Sequence, residues 1–235
     1  MTSIRTSVGA LARLARRLRR RTPGNDSPQS SLAAGLAGEE REQLMRRILS
    51  SIHNNSILLS GDTGSGKTSL LLHLKERLAA DDDPTTDFYP VFIDLRGVPE
   101  DLFFATVSDA VLGQLAFAPP SKVSRFGANY SHRHLANDFR GVIFALRARS
   151  SKRARLVLLV DRIDELNHYD PRTTQRVRSL FMANHAENLV MVASAVEINK
   201  HWEQEGSPWY NFFEEIELVP AHVNRSAQDR MPCDA

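Results

Sequence analysis

The stretch Gly61-Asp62-Thr63-Gly64-Ser65-Gly66-Lys67-Thr68 restricts this chain more than any other feature, because it follows the pattern GxxxxGK[ST] in full. It stands between an apolar run, Ile57-Leu58-Leu59, and a helical opening, Ser69-Leu70-Leu71-Leu72. Glycines at these intervals let the backbone curl until successive N–H groups point inward. The helix that follows turns its positive end to the same point, so the concavity suits phosphate oxygens. Lys67 brings a full positive charge to the β- and γ-phosphates, and the Thr68 hydroxyl can ligate Mg2+. Residues Gly61 through Ser69 are therefore the expected nucleotide-binding segment.

Strand, curled loop and helix recur along the rest of the chain as alternating elements. Helical stripes are read over Glu39–His53, Lys67–Ala80, Asp101–Ala116, 131–149 and Thr173–Ala183. Apolar runs at Ser56–Ser60, Tyr89–Leu95, Leu156–Val160, Leu189–Ala195 and Glu214–Val219 read as strands. Unbroken apolar runs belong to strands buried on both faces, and intervening helices then require a parallel sheet covered on each side. Asp81-Asp82-Asp83-Pro84 is an exposed connection, and the segment around Pro119-Pro120 is a loop. Phe103, Phe104, Phe117, Phe139 and Phe144 are expected in the core.

The apolar strand Leu156-Val157-Leu158-Leu159-Val160 ends in Asp161, which is placed to hold Mg2+ opposite Thr68. The turn after it reads Arg162-Ile163-Asp164-Glu165. With these motifs the block from Gly38 to Pro220 resembles the P-loop ATPases of the STAND and NACHT groups and their AAA+ relatives, including origin-recognition-type ATPases. The resemblance is carried by Gly38-Glu39-Glu40-Arg41 before the first helix, the phosphate loop, VFIDLRG at 91–97, LLVDRIDEL at 158–166, and Ile216-Glu217-Leu218-Val219-Pro220. It implies a three-layer α/β/α P-loop NTPase of the ASCE type, with a mostly parallel five-stranded sheet in the order 5-1-4-3-2. It also implies water-mediated Mg2+ binding by Asp161, so Thr68 and Asp161 form the expected metal site. AAA+ enzymes carry the catalytic glutamate immediately after that aspartate, where this chain has Arg162. The STAND-type spacing puts the acids further on, so Glu165 first and Asp164 second are expected to orient the attacking water, with Lys67 stabilising charge. The alternative for this acid pair is a solvated turn. Ser194 at the end of the fourth strand fits a sensor of the γ-phosphate, or a core serine bonded to its own backbone.

Other polar residues read more plainly. Asp94 and Arg96 suggest a local ion pair, and the spacing of His132 and His134 does not put both on one helical face as a metal site would need.

Charge and composition set the organisation. The first 25 residues hold seven arginines and no acid, which leaves the remainder of the chain net acidic although the whole carries a formal +2. Residues 1–38 are thus expected as a basic tail and linker, 39–222 as the ATPase domain, and 223–235 as a C-terminal tail. Leu11, Leu14 and Leu18 could make the tail a basic amphipathic helix that meets an acidic membrane surface, meets a nucleic acid or serves as a targeting presequence; a solvated tail is the plainer reading. One cysteine, Cys233, excludes an internal disulfide framework and fits a cytoplasmic setting. No apolar stretch is long enough to be a transmembrane segment.

The function expected is that of a Mg-ATP-binding switch with slow hydrolysis, acting with a protein partner or by self-association. The alternative is a nucleic-acid-associated AAA+ ATPase, of the loader or transposition-helper type, that uses the arginine tail. ATP is preferred to GTP because no Asn/Thr-Lys-x-Asp guanine-reading motif is present. Between Arg178 and Arg225 there is no arginine, where the AAA+ resemblance would place a trans-acting finger. The relatives continue into a helical lid, so a fragment, a minimal domain or half of a split system is expected.

Overall fold

The computed structural model describes residues 38–118, 130–197, 207, 209 and 211–218. The arginine-rich tail, the Pro119-Pro120 loop and the C-terminal tail lie outside the described residues. The elements are α1 (Gly38–Ser51), β1 (Ser56–Ser60), α2 (Lys67–Ala80), β2 (Thr86–Asp94), α3 (Phe103–Gln114), α4 (His132–Arg147), β3 (Arg153–Asp161), α5 (Pro171–Asn188), β4 (Leu189–Ser194) and β5 (Phe213–Glu217). Short 3-10 turns occupy Glu100–Leu102 and Ile163–His168.

All four strand pairings are parallel, and the sheet runs β2-β3-β4-β1-β5. This is the expected 5-1-4-3-2 order read from the opposite edge. The side-chain period of two sorts each central strand between two cores. On β3, Leu156, Leu158 and Val160 join α3, α4 and α5, while Val157 and Leu159 join α1 and α2. That double burial explains the unbroken apolar run and gives the three layers. The register sets Asp94 beside Asp161 and Leu59 beside Ser194, so the strand tips line one edge of the sheet. After β1 the chain passes to β2 at the far edge and returns through β3 and β4. Ligand crevices in open α/β sheets lie at such a reversal, outside the carboxyl ends of the strands.

Two strands outrun their apolar cores. β2 includes Pro90, which its edge position permits because no ladder donor is needed on the free side. That free side is partly covered by Gln114 of α3. Its Nε2 donates to the Phe92 carbonyl at 2.6 Å, and its Oε1 accepts the Phe92 N–H at 3.1 Å. Lys75 of α2 donates to the same Oε1 at 2.7 Å. A glutamine that copies a ladder partner blunts an edge open to other strands.

β3 begins before its apolar run because Arg155 is buried, at 1% exposure, without breaking the strand. Its guanidinium donates to the His53 carbonyl at 2.6 Å, just beyond the C-terminus of α1. The negative end of that helix is a favourable place for a cation. Burial, with Arg153 adding repulsion, still pushes the Arg155 pKa down to about 10.

One core expectation fails. Phe103, Phe104 and Phe139 are buried and Phe117 packs against the core, but Phe144 is 78% exposed. The buried face of α4 is Leu135, Asp138, Phe139, Val142, Ile143 and Leu146, and Phe144 falls on the opposite side. Asp138 takes a place that hydrophobicity would reserve for an apolar residue; it accepts from Ser108 at 2.7 Å and from the Tyr130 hydroxyl. Among the described residues, no helix is long and apolar enough to cross a membrane.

Candidate functional site

The loop between β1 and α2 turns on three glycines with positive φ: Gly61 at 140°, Gly64 at 87° and Gly66 at 92°. At Gly61 a second constraint operates. A Cβ there would lie inside the van der Waals contact distance of the Leu218 carbonyl oxygen. The close approach follows from β5 pairing with β1, continued by Leu218 N–H donating to the Ser60 carbonyl at 2.8 Å.

Gly66 is the N-cap of α2, and it supplies no side-chain cap. The first turn holds no acid either. The N–H groups of that turn therefore have no built-in anion, and the helix end is open to one. Asp62, Thr63, Gly64, Thr68 and Ser69 are exposed, whereas Ser65 and Lys67 are buried beneath the loop. Lys67 Nζ donates to the Gly61 carbonyl at 2.5 Å, the Asp62 carbonyl at 2.7 Å and Ser65 Oγ at 3.2 Å. Desolvation lowers the Lys67 pKa from the ordinary lysine value. Asp161, Asp164 and Asp62 oppose that shift, and Arg162 adds to it.

The carboxylate expected across the loop is in place. Thr68 Oγ1 donates to Asp161 Oδ2 at 2.8 Å, and Ser194 Oγ donates to Asp161 Oδ1. Asp161 is 2% exposed, so these two hydroxyls satisfy a carboxylate removed from water. Ser194 also accepts the Arg162 N–H at 3.1 Å. It thus bonds to the Asp161 carboxylate and to the turn beyond it.

One hydroxyl and one carboxylate are hard oxygen donors suited to Mg2+, which is usually completed by water and substrate phosphates. Among the described residues, no cluster of three or more His, Cys, Asp or Glu could form an all-protein metal cage. The donor set therefore fits a cation that arrives with a phosphate ligand. His134 is engaged otherwise, accepting the Ser131 N–H at 3.0 Å as part of a helix cap.

Asp164 and Glu165 sit on the 3-10 turn after Asp161 and diverge. Asp164 Oδ1 accepts the Val196 N–H at 3.4 Å beyond β4, and its charge is felt at Lys67. Glu165 Oε1 accepts the Gly97 N–H at 3.3 Å beyond β2. Further bonds lace the same two loops. The Tyr169 hydroxyl donates to the Val98 carbonyl at 2.5 Å, and Glu100 accepts the Asp170 N–H at 2.9 Å and the Thr173 hydroxyl at 2.6 Å. Burial, with the charge of Glu165 adding, pushes the Tyr169 pKa up to about 12.

Glu100 was not readable as a site-supporting residue, because a capping glutamate has no motif of its own, and Gly97, although it closes the VFIDLRG stretch, gave no sign that its amide would meet Glu165. The expected Asp94–Arg96 ion pair is not formed among the described residues; Asp94 Oδ1 accepts the Arg96 backbone N–H at 2.9 Å instead. An acid two residues ahead can close a turn on the backbone without fixing a long side chain. The Gly38-Glu39-Glu40-Arg41 motif contributes through Arg41, which donates to the Ser69 carbonyl at 3.0 Å and ties α1 to α2.

Comparison with known proteins agrees with this geometry. The family described as "AAA ATPase domain" matches residues 38–192. Comparison with curated proteins gives no match. Among solved structures, the Walker-type ATPase PABY2304 of Pyrococcus abyssi is similar at a TM-score of 0.54 and 16% identity, over 82% of this chain and 59% of its own. Cdc6p from Pyrobaculum aerophilum gives 0.52 and 18%, over 87% and 52%. The Aeropyrum pernix Orc1 protein in complex with DNA gives 0.51 and 16%, over 80% and 49%. At these identities the likeness is one of fold, and this chain spans less than two thirds of each neighbour's length.

Gly61→Ala is expected to destabilise the protein by about 3 kcal/mol, since the new Cβ meets immovable backbone and φ stays at a value L-residues avoid. Chemical denaturation of the variant measures it.

Proposed function

This chain belongs to the AAA ATPase domain family, and from that premise we propose that it binds Mg-ATP and acts as a nucleotide-dependent switch with slow hydrolysis. The observation that carries the reading is the 2.8 Å bond from Thr68 to Asp161, which joins the phosphate loop to a carboxylate 93 positions away. The loop N–H groups and Lys67 would take the phosphates, and Thr68 with Asp161 would hold the Mg2+. That ion supplies charge neutralisation at the β- and γ-phosphates. Ser194, bonded to Asp161, would carry the state of the site into β4.

Each acid accepts one backbone amide, Asp164 from Val196 and Glu165 from Gly97, and Asp164 is the better candidate to orient water because its charge reaches Lys67. The D-x-x-D-E spacing is also the feature that favours the STAND-like half of the resemblance. Slow turnover is argued from the lack of any arginine between Arg178 and Arg225. A trans-acting arginine in that window is what accelerates such reactions by roughly 10^3 to 10^5. Nucleotide state would then control association with a protein partner or a second copy in the cytoplasm.

A second reading is supported by the seven arginines in the first 25 residues and by the fold shared with a protein solved in complex with DNA. In it, the chain is a nucleic-acid-associated ATPase whose tail grips phosphate backbones. DNA affinity that falls steeply with salt, and that is lost on deleting residues 1–25, would support it. Affinity unchanged by the deletion would exclude it.

The first reading is tested by calorimetric ATP binding and phosphate release. The intact chain is expected to bind Mg-ATP and turn over below about 1 s⁻¹. Lys67→Ala should lose binding, and Asp164→Asn should keep binding and lose about a hundredfold in turnover. Equal binding by the intact chain and Lys67→Ala would overturn the reading.

A further inference from the structure

We infer that Arg162 is a phosphate-contacting residue of this site, supplying from within the chain a positive charge to the γ-phosphate of bound ATP. The inference rests on the nucleotide reading above and adds a recognition element to it.

Three observations converge on Arg162. The first is its backbone. Arg162 sits at φ 59° and ψ 51°, in the left-handed region that favours glycine. Non-glycine residues held there are strained, and they persist only where the surroundings fix them. Here the fixing bond is visible: the Arg162 N–H donates to Ser194 Oγ at 3.1 Å, and that serine is itself bonded to Asp161. The conformation is thus held by Ser194, the serine that is bonded to the carboxylate facing the phosphate loop.

The second observation is position. Arg162 directly follows Asp161, whose Oδ2 accepts from Thr68 at 2.8 Å. The residue therefore leaves the sheet at the strand tip nearest the loop. Lys67 adjoins Thr68 in the chain and Arg162 adjoins Asp161, so the bonded pair brings two basic residues to the open helix N-terminus, a place that favours an anion.

The third is the state of the side chain. Arg162 is half-buried. Asp164, two residues on, turns to the Val196 amide, and Glu165 turns to the Gly97 amide. Neither nearby acid neutralises the guanidinium among the described residues. A guanidinium presents a planar fork matched to two phosphate oxygens, which an ammonium does not. A site that places this fork one residue beyond its metal-binding carboxylate favours a ligand with a third phosphate over one with two.

The test compares ATP and ADP affinities, each with Mg2+, by isothermal titration calorimetry on the full chain. Arg162→Gly suits the backbone and is expected to fold at least as stably as the parent, as its melting temperature will report. It should lose about tenfold or more in ATP affinity while ADP affinity changes less than about twofold. Arg162→Lys should recover part of the ATP preference, since it keeps the charge and loses the fork. An ATP-to-ADP affinity ratio unchanged in Arg162→Gly would overturn the inference while leaving the nucleotide reading intact. Failure of the parent chain to bind either nucleotide would overturn both.

Discussion

Thr68 and Asp161 meet at 2.8 Å, and most of what this molecule can do depends on that meeting. The threonine opens α2 and the aspartate closes β3, so the bond sets the end of the phosphate loop against the centre of the sheet. β4 separates β1 from β3, and it takes part through Ser194, whose hydroxyl is bonded to the other oxygen of the same carboxylate. A buried aspartate with hydroxyls on both oxygens is satisfied yet still offers hard oxygen to a cation. The site is therefore assembled in the fold before any ligand is considered.

The same economy appears in Lys67. Its ammonium is held by two carbonyls of its own loop and by Ser65, which keeps a largely buried charge hydrogen-bonded. Those bonds hold the loop in its curled form. A phosphate reaching this lysine would compete with those internal acceptors, which would temper its affinity. Behind the site, Glu165, Tyr169 and Glu100 fasten the turn after β3 to the segment after β2. These bonds tie the turn after β3 to the segment after β2, a connection that the proposed switch would need.

How much of this was legible in the sequence follows from how local the physics is. The phosphate loop is local: glycine spacing, a following helix and one lysine identify it, and the positive φ values at Gly61, Gly64 and Gly66 bear out the reason for the glycines. The parallel sheet was legible because strands buried on both faces leave continuous apolar runs. Arg155 was not legible, since its partner is a backbone carbonyl 102 positions away and nothing in its neighbourhood announces it. Asp138 was hidden for the same reason, being matched by Ser108 from another helix. Phe144 misled because aromatic residues are usually core, whereas the helical phase of α4 decides which side is inward. Within the acidic turn the residue types were plain. Their directions were not, because a 3-10 turn sends neighbouring side chains to different strands.

A double-mutant cycle on Thr68 and Asp161, read as Mg2+-dependent ATP affinity, tests most directly whether the loop and the strand tip form one site. Thr68→Val, Asp161→Asn and the double variant should each lose the Mg2+ dependence. If the two groups share one ion, the double variant should be no worse than the weaker single variant, with a coupling of about 1–3 kcal/mol. Losses that simply add, to within about 0.5 kcal/mol, would mean that the two residues act apart and that the shared site does not exist.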